Sequence, residues 1–276
     1  MSATVQAPGP VLVGVDGSGR NASAVAWAAA EARSSSAPLV LVHDATGAGE
    51  RAGRATLERA AAAVADVDSG LRPAVEMVTR SASEALVEAA RVREASDVDS
   101  RHESLLVVGR RGGGGFTRLS LGSTARALVH REGPPTILVP SDWELEEVPP
   151  RAPVVVDLSA DDGDRALAFA VARAARDDRP LVVLASWSVD PAEVLADQPI
   201  PQVWEEHARQ AEQALRERLG PWRAAYPGLE VVAMATDRHP VAALLDQAVG
   251  AELLVVPRGR SGFAVVEYAQ CPVAVV

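Results

Sequence analysis

The chain has 276 residues, 48% hydrophobic and 23% charged, the balance of a soluble globular protein long enough for two domains, which excludes disorder as its main state. With 27 basic against 37 acidic residues the formal charge is −10, so neither nucleic acid nor an anionic membrane surface is an expected partner. Every basic residue in that count is arginine, and the absence of lysine excludes both the phosphate-contacting lysine of a P-loop and lysine Schiff-base chemistry.

Met1 to Pro10 carries no basic stretch followed by an apolar core, and no apolar run approaches the roughly 18 residues of a membrane span, so a cytoplasmic protein is expected. Val11-Leu12-Val13-Gly14-Val15 predicts a strand that ends in the turn Asp16-Gly17-Ser18, and Ala22 to Ala32 predicts an alanine-rich helix after it. Pro38 to Val42 and Leu105 to Val108 are further strands. The second runs into Gly109-Arg110-Arg111-Gly112-Gly113-Gly114-Gly115, and then Gly122-Ser123 opens a helix from Thr124 to Arg131. Pro135 to Val139 is a last strand before Ser141 to Ala152, an acidic linker containing Pro149-Pro150.

The pattern then repeats. Asp157 follows Val154-Val155-Val156 at 141 positions from Asp16, Leu253 to Val256 lies 148 positions after Leu105 to Val108, and Pro272 to Val276 lies 137 after Pro135 to Val139. Arg165 to Arg176 repeats the first helix, and Trp204, Ala208, Ala211, Leu215, Leu219 and Trp222 mark an amphipathic helix. Near-constant offsets in one order mark a tandem duplication. Each half reads βαβαβαβαβ, and unbroken Val/Leu strands alternating with helices imply an α/β fold with a parallel sheet buried on both faces. The offset falls by 11 between the last two strands, so the second half has a deletion in the segment that carries the glycines in the first. There Pro257 stands in place of Gly109, Arg258 to Phe263 keep a trace of the loop, and nothing matches Gly122-Ser123.

In an open parallel sheet a ligand binds beyond the carboxyl ends of the strands where the strand order reverses, which would set Asp16 and Gly109 opposite each other. Gly109 and Gly112 let backbone approach a ligand, and Gly122-Ser123 presents helix N–H groups that favour an anion. Arg110, Arg111 and Arg118 can add positive charge. Read alone, four glycines in a row are also a flexible connector, Asp16 is also a turn former, and Val42 is also a core strand residue. The five histidines do not cluster with carboxylates at metal-ligand spacing, so no metal site is expected. Cys271, the single cysteine, has no partner for an internal disulfide and reads as a small buried hydrophobe. There is no G-x-S-x-G elbow around Ser18 or Ser23 and no paired acid and base, so no enzyme is expected.

The sequence Val-Gly-Val-Asp-Gly-Ser, the spacing Gly109-x2-Gly112-x9-Gly122-Ser123 and the proline-led final strand together resemble the universal stress protein family in its tandem-domain form, over nearly the whole chain. The resemblance implies two Rossmann-like domains, each a five-stranded parallel sheet of order 3-2-1-4-5 flanked by helices. They would occupy residues 1–140 and 153–276, joined by the linker 141–152. It implies ATP in the first domain, with Gly14, Val15 and Asp16 along the nucleoside and the Val42 backbone at the adenine. Gly109, Arg110, Arg111, Gly112, Gly113, Gly114, Gly115, Gly122, Ser123 and Thr124 would lie around ribose and phosphates, with Mg2+ on the phosphates. The expected function is that of an ATP-binding stress-response module with one nucleotide site. The alternatives are a nucleotide-independent scaffold and a slow ATPase. The resemblance also implies pairing through the final strands, between the halves or across a homodimer.

Overall fold

The computed structural model describes residues 9–47, 49–96, 103–111, 121–159, 163–189 and 200–276. They divide into two units, one reaching to Val148 and also holding Ala269–Val276, the other spanning Pro149–Tyr268.

In the first unit β1 (Val11–Val15) leads through a 3-10 turn into α1 (Ala22–Ser35) and β2 (Leu39–Asp44). Then follow α2 (Gly49–Val67), β3 (Ala74–Val78), α3 (Ala82–Ser96), β4 (Leu105–Gly109), α4 (Ser123–Val129) and β5 (Thr136–Val139). The sheet order is β3-β2-β1-β4-β5, all parallel, which is the 3-2-1-4-5 order expected for the first half. β1 lies between β2 and β4, so the chain's direction of travel across the sheet reverses at β1. Helices cover both faces of β1, which is why Val11, Leu12, Val13 and Val15 are all buried.

Local chemistry sets the ends of these elements. α1 presents Ala24, Ala28, Ala29 and Ala32 to the core, small side chains that let it lie close against the sheet. It stops at Ser36, which takes a left-handed φ of 57°, and the Ala37 N–H returns to the Ala32 carbonyl at 3.0 Å. β1 stops at Asp16, whose Oδ1 accepts from both the N–H and the hydroxyl of Ser18 at 2.9 and 2.8 Å. This Asx turn lifts the chain off the sheet.

The second unit contains β6 (Val154–Asp157), α5 (Asp164–Arg176), β7 (Leu181–Ser186), α6 (Ile200–Ala225), β8 (Val231–Thr236), α7 (Pro240–Ala248), β9 (Leu253–Val256) and α8 (Arg260–Tyr268). Its strands run β8-β7-β6-β9 in parallel, the same 3-2-1-4 sequence as in the first half. The Asx turn repeats too, with Ser159 N–H donating to Asp157 Oδ1 at 2.9 Å. The last strand, β10 (Val273–Val275), belongs to the first unit and runs antiparallel to β5, with Val273 opposite Leu138 and Val275 opposite Thr136. The final strands of the two halves therefore pair within one chain, and β5 has neighbours on both sides. No helix among the described residues is long and apolar enough to cross a membrane.

Candidate functional site

The carboxyl ends of β1 and β4 come together as the strand order requires. Their register pairs Val13 with Val107, and each strand ends two residues further on, at Val15 and at Gly109. Gly14, inside β1, is closed in from the other face. A Cβ there would stand 3.1 Å from Leu86 Cδ1 of α3 and 3.3 Å from Val108 Cγ1, so the glycine serves helix-to-sheet packing.

The side chain that stands between the two strand ends is that of Asn21. Its side chain is 5% exposed, its Nδ2 donates to the Gly14 carbonyl at 3.1 Å, and the same atom lies 3.5 Å from where a Gly109 Cβ would be. A carbonyl can only accept, so this bond fixes the amide orientation and leaves Oδ1 as a buried acceptor with no partner among the described residues. At Gly109 a Cβ would also meet the Arg111 carbonyl at 3.2 Å, so a side chain would close the gap between the 3-10 turn and the start of the loop. Asn21 was not singled out by the sequence, because a side chain bonded to a carbonyl seven residues back follows no periodicity.

Around this junction the other candidates are distributed unevenly. Asp16 is exposed, with its carboxylate engaged by Ser18. Val15 is buried, and its carbonyl lies 2.7 Å from His43 Nδ1, which must therefore carry the ring proton. Val42 is fully buried in the middle of β2, in register with Gly14 on one side and Glu76 on the other. The Arg110 N–H donates to the Val139 carbonyl at 2.8 Å, and the Arg110 carbonyl accepts from Gly122 N–H at 3.0 Å. The Arg110 guanidinium turns away to donate to the Ala269 carbonyl. Burial, and then the charge of Arg111, lowers its pKa from the usual arginine value. Arg111 is half-buried beside it. Gly122 is the N-cap of α4, which starts with an exposed Ser123 and a half-buried Thr124. Gly112, Gly113, Gly114, Gly115 and Arg118 lie outside the described residues.

In the second unit the corresponding connection is residues 257–259 alone. Pro257 is buried and α8 begins at Arg260, so of Arg258 to Phe263, expected to keep a trace of the loop, the last four are the first turn of a helix. Proline at that place has no N–H to offer a ligand. Among the described residues no group of three or more His, Cys, Asp or Glu side chains could hold a metal ion.

The sequence profile described as the universal stress protein family matches residues 9–140. A universal stress protein of Mycolicibacterium smegmatis is 31% identical over 92% of this chain and 88% of its own length. The chain belongs to the universal stress protein family. Another member, from Mycobacterium tuberculosis, is 29% identical over the same shares of the two chains. Among solved structures, a universal stress protein from Archaeoglobus fulgidus superimposes with a TM-score of 0.64 at 13% identity, covering 96% of this chain and 97% of that one. A putative universal stress protein from Pseudomonas aeruginosa gives 0.60 at 13%, over 99% and 94%. These two likenesses establish the fold across both halves. The tandem arrangement thus extends over the whole of this universal stress protein, beyond the half matched by the family profile.

Proposed function

We propose that this universal stress protein binds one ATP, with Mg2+ carried on its phosphates, at the carboxyl ends of β1 and β4, and that occupancy is a regulatory state of a cytoplasmic stress-response module. The observation that carries the reading is the junction at Asn21. A buried amide linked to the Gly14 carbonyl faces a glycine whose missing Cβ leaves the gap open, and the Asn21 acceptor has no partner among the described residues. A ribose or base donor would satisfy it.

In this reading the residues divide the work. Gly14, Val15 and Asp16 border the nucleoside, and the Val42 backbone is the assigned adenine contact. Gly109, Arg111, Gly122, Ser123 and Thr124, with Gly112 to Gly115 between them, surround ribose and phosphates. Arg110 anchors the loop to the C-terminal segment through Ala269. Free N–H groups and the dipole at the start of α4 favour the phosphate charge, with the Ser123 hydroxyl as a further donor. Mg2+, when bound, supplies charge neutralisation to the phosphates. The domains are assigned as 1–140 for nucleotide, 141–152 as linker and 153–276 as a degenerate copy whose shortened connection holds none.

The test is mass spectrometry of small molecules released when the purified protein is denatured, with calorimetric titration by Mg-ATP. Released adenine nucleotide and a stoichiometry of one per chain are expected. Protein free of nucleotide that gives no heat with Mg-ATP overturns the proposal.

A further inference from the structure

The pairing of β5 with β10 leaves two strands, among the described residues, with a neighbour on one side only: β3 in the first unit and β8 in the second. An uncovered edge presents a row of N–H and C=O groups, and proteins blunt such edges with charge, proline or brevity. β3 follows that rule. It has five residues, Pro73 precedes it, and Glu76 stands at its centre, held by Arg93. β8 does not. Val231-Val232-Ala233-Met234-Ala235-Thr236 runs for six residues without charge or proline, in unbroken register with β7, and Val232 and Ala233 are exposed.

The ladder to β7 decides which backbone groups of β8 face outward. The Glu230 carbonyl accepts from Leu181 N–H at 2.8 Å and the Thr236 carbonyl from Trp187 N–H at 2.9 Å, so the even-numbered residues bond to β7. Backbone groups alternate sides along a strand, which turns the N–H and C=O of Val231, Ala233 and Ala235 to the open edge. These positions are symmetric about Ala233. Laid antiparallel on a copy of itself, with a two-fold axis through Ala233, β8 sets each Val231 against the Ala235 of the other copy, and every outward group of the strand gains a partner. On β3 the Val78 carbonyl is taken by Ala45, so the outward residues are Val75 and Met77. Their centre is Glu76, and the same operation there sets two carboxylates against each other.

The flanks of β8 suit the same arrangement. A strand about 20 Å long cannot alone supply the roughly 800 Å² a side of a stable dimer, so α6, which packs on β8, has to take part. The exposed Trp204 of α6 donates its indole N–H to Asp237 at 3.2 Å, just past the carboxyl end of β8. Trp222 and Tyr226, stacked at 6.3 Å, lie before its amino end, where the Leu229 N–H meets the Tyr226 carbonyl at 3.1 Å. Antiparallel pairing brings the carboxyl end of one copy beside the amino end of the other, and with them the aromatic residues that dominate protein interfaces. It also brings Arg238 of one copy towards Glu230 of the other, both exposed, each keeping its own partner, Asp246 or Arg151.

We propose that the open edge of β8 is a self-association surface, on which a second copy of this chain pairs antiparallel, β8 to β8, about an axis through Ala233. This surface is separate from the final strands, whose edges are already filled by each other.

The test is sedimentation equilibrium of the full chain, with residue-resolved amide exchange by NMR at low and high protein concentration. A dimer with a micromolar dissociation constant is expected. Exchange at Val231, Ala233 and Ala235 should slow as concentration rises, while Val232 and Met234, bonded to β7 in either state, stay slow throughout. Ala233→Pro deletes an outward N–H and leaves the ladder to β7 whole, and Ala233→Lys sets two ammonium groups against each other at the axis. Each should weaken association by about tenfold or more with circular dichroism unchanged, whereas Val75→Lys on β3 should leave association as it was. The proposal is overturned by a chain that stays monomeric at millimolar concentration, by association that survives both Ala233 variants or is lost in Val75→Lys, by oligomers larger than a dimer, or by exchange at the three amides that is independent of concentration.

Discussion

The Gly122 N–H donates to the Arg110 carbonyl at 3.0 Å, which joins the two ends of the glycine-rich segment at its neck. Arg110 is in turn fixed to β5 through its own N–H on Val139. The loop therefore starts and finishes at one place on the sheet, at the end of β4 and the first turn of α4. Gly122 has φ −56° and ψ 155°, a backbone conformation open to any residue. We predict that Gly122→Asp keeps the fold, since aspartate is a favoured helix N-cap, and removes nucleotide by setting a carboxylate against the phosphates. Calorimetry with Mg-ATP and circular dichroism on the same sample check both halves. Undiminished ATP affinity in the folded variant would count against the phosphate assignment.

Asn21→Ala removes the bond to the Gly14 carbonyl from a buried site. The expected cost is about 1–3 kcal/mol, because the carbonyl loses its partner while remaining buried. ATP affinity should fall together with stability. Asn21→Asp is the sharper variant, since an ionised carboxylate cannot donate to Gly14 and faces the carbonyl with like charge. Urea denaturation should rank the three proteins as Asn above Ala above Asp at neutral pH. A more stable Asp variant would show that Asn21 does not act as the donor.

Gly17 needs to be glycine for two separable reasons. Its φ is +76°, which costs an L-residue about 1–2 kcal/mol. A Cβ there would also stand 2.9 Å from Thr56 Oγ1 and 3.2 Å from Thr56 Cγ2, on a β-branched side chain with little freedom to move. Gly17→Ala should lower stability by more than the backbone term alone, and Thr56→Ala in the same chain should restore the steric part and leave the backbone part. Denaturant midpoints of the four proteins in this cycle measure the coupling. Strict additivity would exclude the contact with Thr56.

Elements in the middle of the sheet were legible because burial on both faces leaves no room for polar residues. β1, β4, β6 and β9 are unbroken apolar runs for that reason. β3 was not, since it is an edge strand with Val75 55% exposed and Glu76 in its centre, paired with Arg93. Its composition carries neither a clean run nor an alternation. The glycine spacing set Gly109 at the carboxyl end of a strand, and it is the last residue of β4. The spacing did not reveal that Arg110 is committed to Ala269, or that Asn21 is bonded to the Gly14 carbonyl beside Gly109, because both depend on side chains reaching distant backbone. The pairing of final strands, expected between the halves or across a homodimer, occurs within the chain, where β10 lies antiparallel on the edge that β5 leaves open.

The second unit has its own electrostatic anchor, and it makes a pH-dependent prediction. Arg173 of α5 forms ion pairs with Glu252 at 2.6 Å and with Asp177 at 2.8 Å, all three side chains being largely buried, while Arg176 Nε donates to Asp177 Oδ1 at 2.8 Å. Burial pushes the Asp177 carboxyl up, but the Arg176 hydrogen bond and the charges of Arg173, Arg176 and Arg179 outweigh it and hold the pKa below the ordinary aspartate value. A carboxyl depressed in the folded state adds stability that is complete above its unfolded pKa and is lost as pH falls through the folded one. Asp177→Asn should therefore cost about 1.5–3 kcal/mol at neutral pH, the range for hydrogen bonds to charged groups. The gap between the two proteins should close as the pH drops below the ordinary aspartate range, where the native carboxyl is itself protonated. Urea denaturation of both proteins across an acid pH series reads that gap directly, and a gap that stays constant down to the lowest pH would mean that Asp177 contributes by packing instead of charge.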